Sequence, residues 1–225
     1  MKILGIDTST KYLCIGICDQ VKVYEFNLEV GQKLSALIAP TIKRILDSLG
    51  WEAKDIDYFA CGLGPGSFTG LRIGLSTIKG LAWALNKPVI GIPSLDILAR
   101  NIKSCGSTIV PIVDAKRNLI YCSAYRITGN RLKRIMPYQL LSKEELVFKF
   151  KKDILFLGDA SGLYKEYLLK HIKPAIVLES DFWYPQAHNI ILAAKEIAHS
   201  KKASNAFGVL PIYLYPKECQ IKIVK

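Results

Sequence analysis

Histidine is scarce in this chain. The three residues, His171, His188 and His199, all fall in the last third and none has H-x-x-x-H spacing. The usual nitrogen donors of a metal centre are therefore missing, and no Ser–His–Asp or Cys–His set can be assembled around a distinctive nucleophile. No C-x-x-C pair occurs among the six cysteines, Cys14, Cys18, Cys61, Cys105, Cys122 and Cys219. Most lie in apolar, strand-like runs, where free buried thiols are expected rather than disulfides or zinc ligands. Long apolar runs are absent too. The opening MKILGIDTST has one lysine and an apolar stretch cut short at Asp7, and no later segment reaches the ~18 residues of a membrane span. A soluble, cytoplasmic protein with no membrane partner is expected.

Acidic residues are also under-represented, at 19 against 31 Lys+Arg, for a net charge of +12. The imbalance is local. Residues 1–100 carry 11 cations and 9 acids, whereas residues 101–225 carry 20 and 10. A basic second half suits a polyanion such as RNA, and equally a lysine-rich surface that serves solubility. With 50% hydrophobic and 22% charged residues in 225, the composition is globular and allows one large domain or two small ones.

Periodicity divides the chain into two similar parts. Short β-rich runs at 2–7, 12–18 and 21–28 precede a helical pattern from Leu34 to Leu49, stopped by Gly50 and kinked or restarted at Pro40. A strand (58–62), a glycine-rich loop, a helix (69–86), a strand (89–92) and a helix from Ser94 follow. From 108 the same order returns: strands 108–114, 119–127 and 131–141 with a turn at Gly129-Asn130, then a capping box, Ser142 with Glu145, opening a helix. A strand (154–158), helix (162–171), strand (175–178) and helix (187–200) complete it. In each half an aspartate, Asp7 or Asp114, closes the first strand and opens a four-residue turn. The reading is an α/β protein of two similar lobes, each βββαβαβα, with a cleft between them. The expected lobes are 1–104, partner-binding, and 105–225, basic.

The most informative segment is GLGPGSFTGLRIG, Gly62–Gly74, placed between a strand and a helix, where an anion can be held. It has neither the Gly-Lys-Ser/Thr of a P-loop nor G-x-G-x-x-G spacing. Together with Ile6-Asp7-Thr8-Ser9-Thr10, the KGLA of 79–82 and the PSL of 93–95, it resembles the TsaB (YeaZ-type) family. The resemblance extends through Val113-Asp114-Ala115, Leu119-Ile120-Tyr121, Gly158-Asp159, Tyr184-Pro185 and Pro211-Ile212-Tyr213-Leu214. It implies an actin/sugar-kinase-like fold. It also implies a non-catalytic subunit that pairs with the catalytic paralogue TsaD, is joined by the ATPase TsaE, and acts with them on the adenine beside the anticodon of tRNA. A homodimer is expected when the partner is absent. The alternative is a small-molecule kinase or nucleotide hydrolase of the same superfold.

Two departures bear on chemistry. Nucleotide-binding relatives carry glycine in the hairpins that face phosphate, but neither TSTK (8–11) nor AKRN (115–118) contains one, and Gly158 stands alone before Asp159. Asp7, Thr8, Ser9, Asp114, Gly158 and Asp159 are therefore read as a vestigial nucleotide cleft. No cofactor is expected to bind independently, and any ATP or ADP belongs at the interface of the complex. Where the catalytic paralogue has a histidine metal ligand, this chain has Leu34, so no metal and no catalytic residue are assigned. Small residues four apart on helix 69–86 leave a groove for another helix or for the chain's own sheet. With the resemblance, they nominate Leu34, Leu37, Gly66, Ser67, Thr69, Gly70, Arg72, Gly74, Thr77 and Leu81 as the partner interface. Arg72, in the first helical turn, is expected to have an anionic partner.

Overall fold

A computed structural model describes residues 1–129, 131–200 and 202–216. The first lobe is built on strands β1 (Ile3–Asp7), β2 (Tyr12–Cys18), β3 (Val23–Glu29), β4 (Tyr58–Gly62) and β5 (Val89–Ile92), ordered β3-β2-β1-β4-β5. β1 pairs antiparallel with β2 and parallel with β4. The second lobe repeats this with β6 (Thr108–Lys116), β7 (Leu119–Thr128), β8 (Arg131–Ser142), β9 (Ile154–Leu157) and β10 (Ala175–Val177), ordered β8-β7-β6-β9-β10. The duplicated α/β fold expected from the sequence is the fold observed. Cys219 lies outside the described residues, as does Asn130 of the expected turn.

Strands buried on both faces need helices on both faces. On one side of the first sheet lie α1 (Leu34–Ser48) and α2 (Phe68–Ala84). α1 buries Leu34, Ile38, Ile42, Ile45 and Leu46 at helical spacing, and runs unbroken through Pro40, which sits on its exposed side. The expected restart at Pro40 does not occur. Gly50 ends the turn after α1 with φ +67°, a conformation that glycine adopts without steric penalty. α2 starts at Ser67, whose hydroxyl accepts the Gly70 N–H at 3.2 Å.

The lobes exchange their remaining helices. α3 (Ser94–Ala99) leaves the first sheet and packs Leu95, Leu98 and Ala99 on Ile109, Val113 and Tyr125 of the second. The last helix, α6 (Ala187–His199), returns to cover the first sheet, packing Ala187, Ile190 and Ile191 against Ile3, Cys14 and Ala60. α4 (Lys143–Lys149) and α5 (Ala160–His171) cover the other face of the second sheet. A division at 104/105 thus follows the strands but not the cores, because each lobe borrows a helix from the other half of the chain. Buried amides tie this crossover: Asn189 donates to Asn101 Oδ1 at 2.8 Å, and Asn101 donates to the Tyr184 carbonyl at 3.0 Å. Arg100 adds a two-pronged pair with Glu196 at 3.0 and 2.7 Å.

Candidate functional site: an interlobe cleft and a helical face

The strand pairs that open each lobe point their turns at one another across a cleft of about 670 Å³. Asp7 ends β1, but its carboxylate turns back into the protein. Oδ1 accepts the Ser9 N–H at 2.8 Å and the Ser9 hydroxyl at 2.6 Å, and Oδ2 accepts the Ser94 hydroxyl at 2.6 Å. The group is 1% exposed, and burial pushes its pKa up, against these three donors. Thr8 is likewise buried and turned toward α2. Asp7 and Thr8 are therefore not cleft residues. Gly158 is not one either: it holds φ +105° with its backbone pressed against Ile112, where any side chain would collide. Of the six expected cleft residues, Ser9, Asp114 and Asp159 do line it.

Asp114 repeats the turn of Asp7 in a more open setting. Its Oδ1 accepts the Lys116 N–H at 2.8 Å, its Oδ2 pairs with Lys116 Nζ at 2.6 Å, and its own N–H donates to Asp159 at 2.9 Å. The bond to Asp114 raises the Lys116 pKa, and burial raises that of Asp159. The absence of glycine does not prevent a left-handed turn here. Lys116, Arg117 and Asn118 take φ of 64°, 54° and 59° in succession.

The chain's last described segment forms part of the cleft wall. The Ile212 N–H donates to the Leu63 carbonyl at 2.8 Å, and the Tyr213 ring stacks on Phe68 with centroids 5.1 Å apart. From the same strap, the Tyr215 hydroxyl donates to the Ala115 carbonyl at 2.8 Å, on the opposite lobe. The sequence offered Pro211–Leu214 as a motif without saying where it lies. Phe68 and Tyr213 stood inside quoted motifs without a place in the cleft, and Tyr215 was missed, because what an aromatic side chain covers is set by the path of the chain and leaves no local signal. Arg72 points here too: its guanidinium lies over the Phe68 ring at 3.8 Å, and its Nε donates to the Tyr213 hydroxyl at 3.2 Å. Among the described residues this phenol and ring take the place of the expected anion.

The nominated interface residues separate by direction. Leu34 is core, packed with Ile38 and Ile42. Gly66, Gly70 and Gly74 face the chain's own first hairpin, where an added Cβ would overlap Ser9 and Thr8. These four are corrections: Leu34 is taken up by the core, and the groove of the three glycines is already filled by Thr8 and Ser9. Ser67 is spent on capping α2. Thr69 and Arg72 are exposed and Leu37 is half-buried. Thr77 and Leu81 border a hollow of about 340 Å³ between α1 and α2, with Ile42, Leu46 and Trp51. Beside it Gly80 has nothing within 4 Å, and Trp83 is 69% exposed.

No helix among the described residues is long and apolar enough to cross a membrane. Nor do three or more His, Cys, Asp or Glu side chains gather there as a metal site. A family model described as TsaD, tRNA N6-adenosine threonylcarbamoyltransferase, matches residues 29–221. The tRNA threonylcarbamoyladenosine biosynthesis protein TsaB of Bacillus subtilis is 28% identical over all of this chain and 99% of its own length. The chain belongs to this family, as a TsaB (YeaZ-type) member. The TsaB of Haemophilus influenzae is 26% identical, with 95% of this chain and 93% of that protein covered. In three dimensions, YeaZ from Pseudomonas aeruginosa superposes with a TM-score of 0.81 at 24% identity, over 95% of this chain and 99% of that one. For a TsaB-type chain, the folded-away Asp7 and the open α1–α2 face are the two features that bear on function.

Proposed function

We propose that this chain is a non-catalytic subunit required for threonylcarbamoyl transfer to the adenine beside the anticodon of tRNA. In this reading it scaffolds and activates the catalytic paralogue TsaD, together with the ATPase TsaE, in the cytoplasm. The observation that carries it is the α1–α2 face, where a hollow beside the bare Gly80 backbone and the exposed Trp83 gives a partner helix somewhere to sink. A buried Asp7 with its oxygens taken up by Ser9 and Ser94 supports the non-catalytic part, because a nucleotide-handling carboxylate must face its ligand. Nucleotide is not held by the chain alone, and ATP or ADP belongs at the interface of the complex. Without its partner the same face closes on a second copy, the commonest way of covering an apolar patch.

The test is co-purification of Gly80→Leu with TsaD. The new side chain enters open space and leaves the fold intact, so the melting temperature of the variant alone should hold. At an interface centre the loss should reach about thirtyfold in affinity, on the order of 2 kcal/mol. Undiminished pairing would move the interface elsewhere. Calorimetric titration of the isolated chain with ATP and magnesium addresses the kinase reading, and saturable binding would favour it over a scaffold.

A further inference from the structure

The second sheet narrows to two strands at one end. β6 pairs with β7 only between Lys116↔Leu119 and Ile109↔Tyr125, whereas β7 and β8 remain paired to Thr128↔Arg131. The last turn of this hairpin is therefore a two-stranded ribbon that overhangs the sheet. In it Arg126 stands directly opposite Lys133, and Thr128 opposite Arg131. Side chains two apart share a face, so Arg126, Arg131 and Lys133 project together. The opposite face carries Ile127 and Leu132, which pack on the core around Tyr125. All three cations are exposed, and among the described residues none forms an ion pair, hydrogen bond or ring contact, unlike neighbouring Arg134, which reaches Asp96 and stacks on Tyr138.

This is an unfavourable arrangement within the chain alone. Like charges directly opposite on an antiparallel pair repel, and from Ala115 to Ser142 there are six cations and no acid. A lysine on an edge strand can be explained as a guard against sheet-to-sheet pairing. That explanation covers Lys133 on the edge strand β8. Beyond Tyr125 β7 is an open edge as well, but a guard calls for one cation and not for two set directly opposite each other, as Arg126 and Lys133 are. Two of the three are arginines, whose planar fork matches a phosphate in two-pronged geometry.

We infer that this ribbon is a phosphate-gripping arm for RNA, and, resting on the function proposed above, that it holds the backbone of the tRNA being modified. The chemistry is sequence-independent: three cations on one face neutralise phosphates and release counterions, leaving base recognition to other surfaces.

The experiment compares wild type with the Arg126→Gln/Arg131→Gln/Lys133→Gln variant, alone and paired with TsaD, by fluorescence anisotropy of a labelled unmodified tRNA transcript over a salt series. Each lost phosphate contact should reduce the slope of log affinity against log salt by about one, so a fall of two to three is expected, with at least tenfold weaker binding at low salt. An unchanged slope and affinity in both samples, or no tRNA binding by wild type in either, overturns the inference. So does binding of the ribbon to anionic phosphatidylglycerol vesicles with tRNA affinity unaltered by the substitutions. Pairing with TsaD is measured on the same samples. A variant that pairs normally but binds tRNA like wild type defeats the arm and leaves the scaffold reading standing, whereas a wild type that never pairs defeats the scaffold reading by itself.

Discussion

The Thr8 hydroxyl donates to the Gly70 carbonyl at 2.8 Å, joining the first hairpin to the first turn of α2 across 62 positions of sequence. One helical turn on, Gly74 faces the same threonine, and a Cβ there would overlap Oγ1 and crowd Cγ2. Gly74→Ala should therefore destabilise the isolated chain by about 1–3 kcal/mol, the usual cost of overpacking. For a chain of this size that lowers the melting temperature by roughly 2–4 °C per kcal/mol. Thr8→Ala removes the obstructing atoms, so the double variant should be less unstable than the two single losses added together. Strict additivity in that cycle would show that Thr8 is not what fills the space.

Gly80, on the same helix, should respond with the opposite sign. It sits in open surroundings, so Gly80→Ala adds helix propensity without a clash and should stabilise by about 0.5–1 kcal/mol. A thermal melt of the isolated chain measures it, and a lowered midpoint would mean that this face is already covered in the free protein.

The contrast between these glycines also shows where sequence reading stopped. Periodicity placed the strands and α-helices of the described residues, because burying Leu34, Ile38 and Ile42 at helical spacing, or running as short apolar β-rich stretches along β1 and β2, is a local property. Which neighbour a helical glycine meets is not local. Gly74 and Gly80 look alike in a list of small residues, yet one is pressed against Thr8 and the other against nothing. The exchange of α3 and α6 escaped for the same reason: Ala187, Ile190 and Ile191 fit either sheet as an apolar stripe, and only the chain path sends them to the first. Asp7 and Asp114 were found as a matched pair by position. Their different fates depend on Ser94, 87 residues from Asp7, which supplies a third hydrogen bond that Asp114 has no counterpart for.

Thiol chemistry should follow burial. Cys61 and Cys122 are both pushed to about 12 by desolvation, and Cys14 is raised further by burial and the nearby Asp7 charge. At pH 8 these thiols should resist iodoacetamide in the native protein and react only on unfolding, whereas half-buried Cys105 reacts first among the described cysteines. Mass-spectrometric mapping of alkylated peptides checks this, and early labelling at Cys61 would mean that β4 is not buried between its helix layers.

Asp7 makes a pH prediction whose direction is set by burial. Its folded pKa lies above the ordinary 3.8, with desolvation as the first cause. Between those two values the folded chain holds a proton that the unfolded chain has released. Stability contributed by this group therefore falls as pH rises through that window and is level above it. Asp7→Asn removes the titration while keeping the shape, so the informative quantity is the difference in unfolding free energy between wild type and variant, taken from urea titrations at several pH values. The variant will itself be altered in stability, since an amide cannot accept all three hydrogen bonds from Ser9 and Ser94. That loss is a constant offset, whereas the burial effect is a slope. Wild type should gain on Asp7→Asn as pH is lowered from 7 toward 4, against the general trend of acid destabilisation that both proteins share. A difference that stays flat, or that shrinks on acidification, would mean that the Ser9 and Ser94 donors outweigh desolvation and that Asp7 is held as a well-satisfied carboxylate throughout.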